Sequence, residues 1–200
     1  MPAILLLAAG ASSRLGRPKQ LLTYQGQTLL RRAAETAVAA AAGAPVVVVT
    51  GALHETLLPE LAGLPLVAQR CPAWAAGMGA SLKFGLRLLE TLCAAWTEVA
   101  VLLCDQPHVT PALLRQLAKT RAATGRAIVA SQYAGALGVP VLFGLEALPL
   151  LRRLPDAAGA GQLLRQHPEL VAAVPFPAAA VDVDTEAQYA ALLAEEEKKE

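Results

Sequence analysis

The sequence predicts a single α/β domain in which a mostly parallel sheet is covered by helices on both faces. Three observations carry this. Short apolar runs alternate with longer stretches of helical period along the chain, the pattern of strands joined by crossover helices. The run Val46-Val47-Val48-Val49 is apolar at every position, as a strand buried on both faces must be, whereas a one-faced strand alternates. The chain has 200 residues, 55% of them hydrophobic, enough for one sizeable core and too few for two ordinary domains.

Strands are expected at 3–8, 45–50, 65–69, 98–103, 127–131, 138–143 and 171–174, with helices between most of them. The first follows Met1-Pro2 without a basic n-region, and Gly10, Ser12, Ser13 and Arg14 interrupt its apolar run at once. It therefore reads as a buried strand and not as a signal peptide. The Ala-rich 33–42 segment stops at Gly43 and Pro45, short of the roughly 20 apolar residues that cross a bilayer, so no membrane association is expected. Thr110-Pro111 opens a helix over 112–122, with Thr as cap and Pro in the first turn, and Gly125 closes it. Asp184-Thr185-Glu186 precedes an Ala/Leu-rich helix that runs into Glu195-Glu196-Glu197-Lys198-Lys199-Glu200, a charge run read as a solvated, frayed end. The domain is thus expected over 1–194, with a charged tail at 195–200.

Composition removes several function classes. A net charge of +1 without a Lys/Arg-rich stripe excludes a grip on a nucleic-acid backbone. Cys71, Cys93 and Cys104 are odd in number and lack close pairing, which points to reduced thiols in a cytoplasmic protein. His54, His108 and His167 are too scattered for a zinc site, and His108, which follows the Asp-Gln-Pro turn and could line the cleft, reads first as a surface residue. No Gly-x-Ser-x-Gly elbow supports Ser-His-Asp hydrolysis.

In open parallel sheets ligands bind beyond the carboxyl ends of the strands, so the polar residues after each apolar run are the candidates. The segment Leu7-Ala8-Ala9-Gly10-Ala11-Ser12-Ser13-Arg14-Leu15-Gly16-Arg17-Pro18-Lys19 leaves the first strand as a loop of small residues with three cations. Gly and Ala let backbone N–H groups approach a triphosphate or a base edge, while Arg14 and Lys19 neutralise phosphate oxygens. Neither the Walker spacing nor Gly-x-Gly-x-x-Gly is present. Asp105, directly after the apolar run ending at Leu103-Cys104, is placed to bind Mg²⁺ on an NTP. In Val181-Asp182-Val183-Asp184-Thr185, an extended backbone puts both carboxylates on one face. Asp184 is the better second ligand, and it is also a candidate cap for the last helix. Gly77-Met78-Gly79-Ala80-Ser81 leads into a helix whose start offers N–H groups, with the Ser81 hydroxyl nearby, to a base or ribose, behind a core Trp74. Gly135 to Phe143, with Tyr133, Gly138, Val139 and Pro140, is a weaker candidate for the acceptor side of the pocket.

The ordered set Leu7-Ala8-Ala9-Gly10-x-Ser12-Ser13-Arg14-x-Gly16-x-x-Lys19-x-Leu21-Leu22, Gly77-Met78-x-x-Ser81-Leu82, Cys104-Asp105-Gln106-Pro107, Gly138-Val139-Pro140 and Asp182-Val183-Asp184-Thr185 resembles the molybdenum cofactor nucleotidyltransferases of the MobA-like NTP transferase superfamily. It is most similar to their cytidylyltransferase branch. The resemblance implies a Rossmann-like three-layer α/β/α fold and transfer of CMP from CTP to the molybdopterin phosphate, with release of pyrophosphate. By position it assigns Leu7, Ala8, Ala9, Gly10, Gly77 and Ser81 to the nucleotide, Arg14 and Lys19 to the triphosphate, and Asp105 and Asp184 to Mg²⁺. Lys19, Arg14 and Asp105 would carry catalysis without a covalent enzyme intermediate. A molybdoenzyme is the macromolecular partner it would imply.

One departure concerns the acceptor. The family often carries a Gly-Asp-Lys-Gly-Ala-Arg-like stretch, and this chain has Pro155-Asp156-Ala157-Ala158-Gly159-Ala160-Gly161, without the Lys and Arg. Three alternatives therefore stay open: GTP in place of CTP, a sugar or polyol phosphate as acceptor, and a carrier or chaperone that binds the pterin cofactor without turnover. Whether Asp182 or Asp184 completes the metal site is open as well.

Overall fold

The computed structural model describes residues 2–12, 15–92 and 95–197. The chain runs β1 (Ala3–Ala8), a small β2–β3 hairpin (Thr23–Tyr24 and Gln27–Thr28), α1 (Leu29–Ala41), β4 (Val46–Thr50), α2 (His54–Leu61), β5 (Val67–Arg70) and α3 (Met78–Leu92). It continues with β6 (Glu98–Leu103), α4 (Pro111–Thr124), β7 (Ile128–Tyr133), β8 (Ala136–Gly144), α5 (Leu148–Arg153), α6 (Ala160–Gln166), β9 (Val171–Pro175) and α7 (Glu186–Glu197).

Among the described residues seven strands form one sheet in the order β5-β4-β1-β6-β8-β7-β9. β5, β4, β1 and β6 are mutually parallel, β8 runs antiparallel between β6 and β7, and β9 pairs parallel with β7. This is the Rossmann-like, mostly parallel α/β/α fold. Strand alternation divides the core in two. Leu5, Leu7, Val47, Val49, Val99 and Val101 meet α3, α5 and α6 on one face, while Ile4, Leu6, Val46, Val48, Ala100 and Leu102 meet α1, α2 and α4 on the other. β4, four valines and Thr50, is an interior strand with every residue buried. A third, smaller cluster joins Leu15, Leu22, Tyr24 and Leu29 to Val183 and Leu192, so the last helix seals the loop that follows β1.

Local chemistry places the elements as expected, with instructive differences. The Thr110 hydroxyl accepts from the Leu113 N–H, and Gly125 ends α4 in the left-handed region at φ 66°. The β2–β3 hairpin, absent from the expected strands, turns at Gln25 and Gly26, both at positive φ, as a two-residue hairpin requires. α7 is helical into the charged run, and Glu195 Oε2 lies 3.3 Å from His108 Nε2. His108 is half-buried with its ring edge-on to Tyr24, which corrects its reading as a surface residue. No helix among the described residues is long and apolar enough to cross a membrane.

Candidate active site

β1 lies between β4 and β6, and connections leave it to either side, so the loops after β1 and β6 border a crevice at the carboxyl edge of the sheet. A cavity of about 280 Å³ occupies that crevice. Leu7, Ala8, Ala9, Gly10, Lys19, Gly77, Ser81 and Asp105 all line it, brought together from four separate segments. Arg14 lies outside the described residues.

The loop after β1 is held by a residue that no motif singled out. Gln20, 1% exposed, donates through Nε2 to the Ala8 carbonyl (3.1 Å) and the Gly10 carbonyl (2.8 Å), and its Oε1 accepts from Ser12 Oγ. Ser12 Oγ in turn accepts from the Lys19 backbone N–H. One buried amide thus closes the turn and sets the start of the lysine side chain. Nothing in periodicity or spacing marks Gln20; only its three-dimensional bonding does. Arg17 is turned away, in a bidentate pair with Glu186 at 2.7 Å and with its guanidinium over the Tyr189 ring. It fastens the loop to α7.

Lys19 Nζ bridges two carboxylates, Asp105 Oδ2 and Asp184 Oδ1, the latter at 2.8 Å. Burial by itself would lower the ammonium pKa, but Asp105 and Asp184 outweigh it and hold the group above the ordinary lysine value. Burial, followed by the Asp105 charge, pushes the neighbouring Cys104 thiol up to about 12, so it stays protonated at neutral pH. Cys71 and Cys104 are buried free thiols, and Cys93 lies outside the described residues.

The segment carrying Asp182 and Asp184 is not a strand, contrary to the extended reading. It is fastened to the end of β6 where the Val183 N–H donates to the Asp105 carbonyl at 3.1 Å. Gln188 completes the turn, accepting from the Asp184 N–H and donating to Asp182 Oδ1. The cap of α7 is Thr185, whose hydroxyl accepts from the Gln188 N–H; Asp184 does not serve as the cap and its carboxylate faces Lys19. Burial, then the nearby Asp184 and Asp105 charges, raises the Asp182 pKa.

The start of α3 also departs from expectation. The Gly79 and Ala80 N–H groups both donate to the Asp156 carbonyl, at 2.9 and 3.3 Å, and are not available to a ligand. A Cβ on Gly77 would lie 2.5 Å from that same carbonyl oxygen, and one on Gly79 would collide with the Pro155 carbonyl. The two glycines therefore admit the 155–158 loop, which Lys83 also pins by pairing with Asp156 at 2.6 Å and donating to the Leu154 carbonyl. Ser81 and the half-buried Trp74 remain on the cavity wall.

Asp105 Oδ1 is buried and has no hydrogen-bond partner among the described residues. Orphaned carboxylate oxygen beside a second carboxylate suits a hard divalent cation. No cluster of three or more His, Cys, Asp or Glu side chains placed to hold a metal occurs among the described residues, so Asp105 and Asp184 fit a metal whose remaining ligands come from phosphate and water.

A Rossmann-like sheet with this lysine and these carboxylates at its switch point defines an α/β protein of the nucleotidyltransferase class. The chain belongs to the family of MobA-like NTP transferase domains, which it matches over residues 4–171. It is 38% identical over 106 residues to the nicotine blue oxidoreductase of Paenarthrobacter nicotinovorans, a match covering 52% of this chain and only 50% of that protein. It is 29% identical over 168 residues to the purine catabolism protein PucB of Bacillus subtilis, covering 80% and 78% of the two chains. The structure of Rv0371c from Mycobacterium tuberculosis in complex with manganese superposes with a TM-score of 0.73 at 28% identity, covering 96% of this chain and 97% of that one.

Proposed function

We propose that the protein transfers CMP from CTP to the phosphate of the molybdenum cofactor and releases pyrophosphate. The observation that carries the reading is Lys19, held between Asp105 and Asp184 on the wall of the cavity beneath the Leu7–Gly10 segment. Asp105 and Asp184 would hold Mg²⁺, which when bound neutralises the triphosphate and the charge that builds at the transferring phosphorus. The manganese complex of Rv0371c supports a divalent ion. Lys19 would leave the carboxylates for the phosphate oxygens, Arg14 would join it, and Ala8, Ala9 and Gly10 would carry base and ribose along the loop, with Gly77 and Ser81 opposite. An acceptor phosphate oxygen then bonds to the α-phosphorus as the bond to the β-bridging oxygen breaks, and pyrophosphate leaves with that electron pair.

The test is pyrophosphate release with Mg²⁺ and each of CTP, GTP, ATP and UTP, with and without molybdenum cofactor. Cofactor-dependent release with CTP supports the proposal; preference for GTP moves the chain to guanylyl transfer. The Paenarthrobacter relative, named an oxidoreductase, favours a second reading in which the same loop holds a redox dinucleotide. Silence with every NTP, together with substrate-dependent oxidation of a reduced nicotinamide dinucleotide, would establish that reading instead.

A further inference from the structure

A second cavity, of about 480 Å³, adjoins the first and shares Met78 and Leu103 with it. One wall is the run of small residues Ala157-Ala158-Gly159-Ala160-Gly161 that leads into α6, and the facing wall is the β7–β8 hairpin with Tyr133, Leu137 and Val139. Burial, with smaller contributions from the Asp182 and Asp105 charges, raises the pKa of the Tyr133 phenol. Among the described residues the cavity lining carries a single charge, Arg165.

Arg165 is exposed on the cavity. Its guanidinium folds back one turn along α6, the direction helical side chains take. A Cβ on Gly161 would stand 3.5 Å from Arg165 Nη1. The head of the side chain therefore hangs over the place where a side chain of residue 161 would begin, in the stretch that lacks its own Lys and Arg.

We propose that this cavity receives the body of the acceptor and that Arg165 binds the acceptor's anionic group, supplying a cation over Gly161 to a stretch that has no Lys or Arg of its own. The inference rests on the nucleotidyl-transfer reading above. It commits to an acceptor with a phosphate or similar oxyanion and a flat or apolar body that fits between the small-residue wall and Leu137 and Val139. Arg165 is then a specificity-determining residue, engaged by the acceptor and not by the NTP.

The experiment measures equilibrium binding of molybdopterin, glucose 1-phosphate and glycerol 3-phosphate to the full chain, the Kd for CTP with Mg²⁺, and pyrophosphate release with any acceptor that binds. Loss of one charge-assisted contact in Arg165→Ala should raise the acceptor Kd and KM by about 10- to 100-fold and leave the CTP Kd unchanged. Arg165→Lys should retain part of the affinity, and Gly161→Arg combined with Arg165→Ala should regain most of it. Three results overturn the inference: no probe binds the wild type, the acceptor Kd is unchanged in Arg165→Ala, or CTP binding falls along with acceptor binding. If a sugar or polyol phosphate is used and molybdopterin is not, the molybdenum reading falls while Arg165 keeps its role.

Discussion

Replacing Lys19 by alanine leaves Asp105 and Asp184 facing each other without the cation between them. The side chains of Lys19, Asp105 and Asp184 are 16%, 9% and 20% exposed, so the cluster is closer to a buried network than to a surface pair. An exposed pair contributes up to about 1 kcal/mol, and removing one partner of a fully buried pair costs about 3–5 kcal/mol. Partial burial places the loss between these, at about 2–3 kcal/mol. For a chain of this size that lowers Tm by about 5–10 °C. Lys19→Ala with Asp184→Asn removes one of the opposed charges and should recover at least half of the loss. The pKa of Lys19 is raised, so its contribution is fully present below the ordinary lysine value and is lost only as pH climbs through the raised one. The gap between wild type and Lys19→Ala in thermal melts should therefore be flat from about pH 7 to about pH 9. Pyrophosphate release should fall about 10²- to 10³-fold, as for loss of one preorganised charge-stabilising group. A Tm equal to wild type, or a gap that closes over that pH range, would refute the bridged-carboxylate account.

Gln20→Ala strips a buried donor from the Ala8 and Gly10 carbonyls and should cost about 1–3 kcal/mol in urea melts; with it the KM for the NTP should rise more than kcat falls, and an unchanged KM would deny Gln20 its positioning role. Asp182→Asn keeps an oxygen for Gln188. Because the Asp182 pKa is raised, the group's contribution is present below the ordinary aspartate value and is lost as pH rises through the raised one, so the variant should exceed wild type in stability at neutral pH. That advantage should vanish below about pH 4, and urea melts showing it grow on acidification would contradict the sign. Gly79→Ala drives a methyl into the Pro155 carbonyl and should cost about 1–3 kcal/mol, whereas Gly161→Ala, in ordinary contact only, should melt like wild type.

The fold was legible because its signals are local. β1, β4 and β6 are short apolar runs followed by small or polar residues, and the helix after β6 ends at a residue whose backbone chemistry is specific, Gly125 at the close of α4. Burial on both faces shows directly as an unbroken valine run. The β2–β3 hairpin was not legible, since two strands of two residues offer no period and Gln25-Gly26 is a weak turn signal without flanking alternation. The amides at the start of α3 failed for a different reason. Whether an N–H at a helix start is open depends on what packs against it, and the Asp156 carbonyl that fills the position arrives from a distant segment.

The same division runs through the site. Asp105 and Lys19 stood out because each follows an apolar strand at the carboxyl edge of a parallel sheet, but their bond spans 86 residues and the Lys19–Asp184 bond spans 165, so no window along the chain contains either. Counting cations in the loop overstates its grip: Arg17 is committed to Glu186 and Tyr189, which makes it a fastening of the loop to the last helix. At the acceptor side the count errs the other way. The 155–161 stretch shows no Lys or Arg, yet a helix beginning at Ala160 puts residue 165 within a turn of residue 161, and the guanidinium of Arg165 comes to lie over Gly161. The charge of a binding surface is thus set by where helical geometry returns a side chain and by which partner already holds it, and both must be known before an absent motif residue is taken for an absent function.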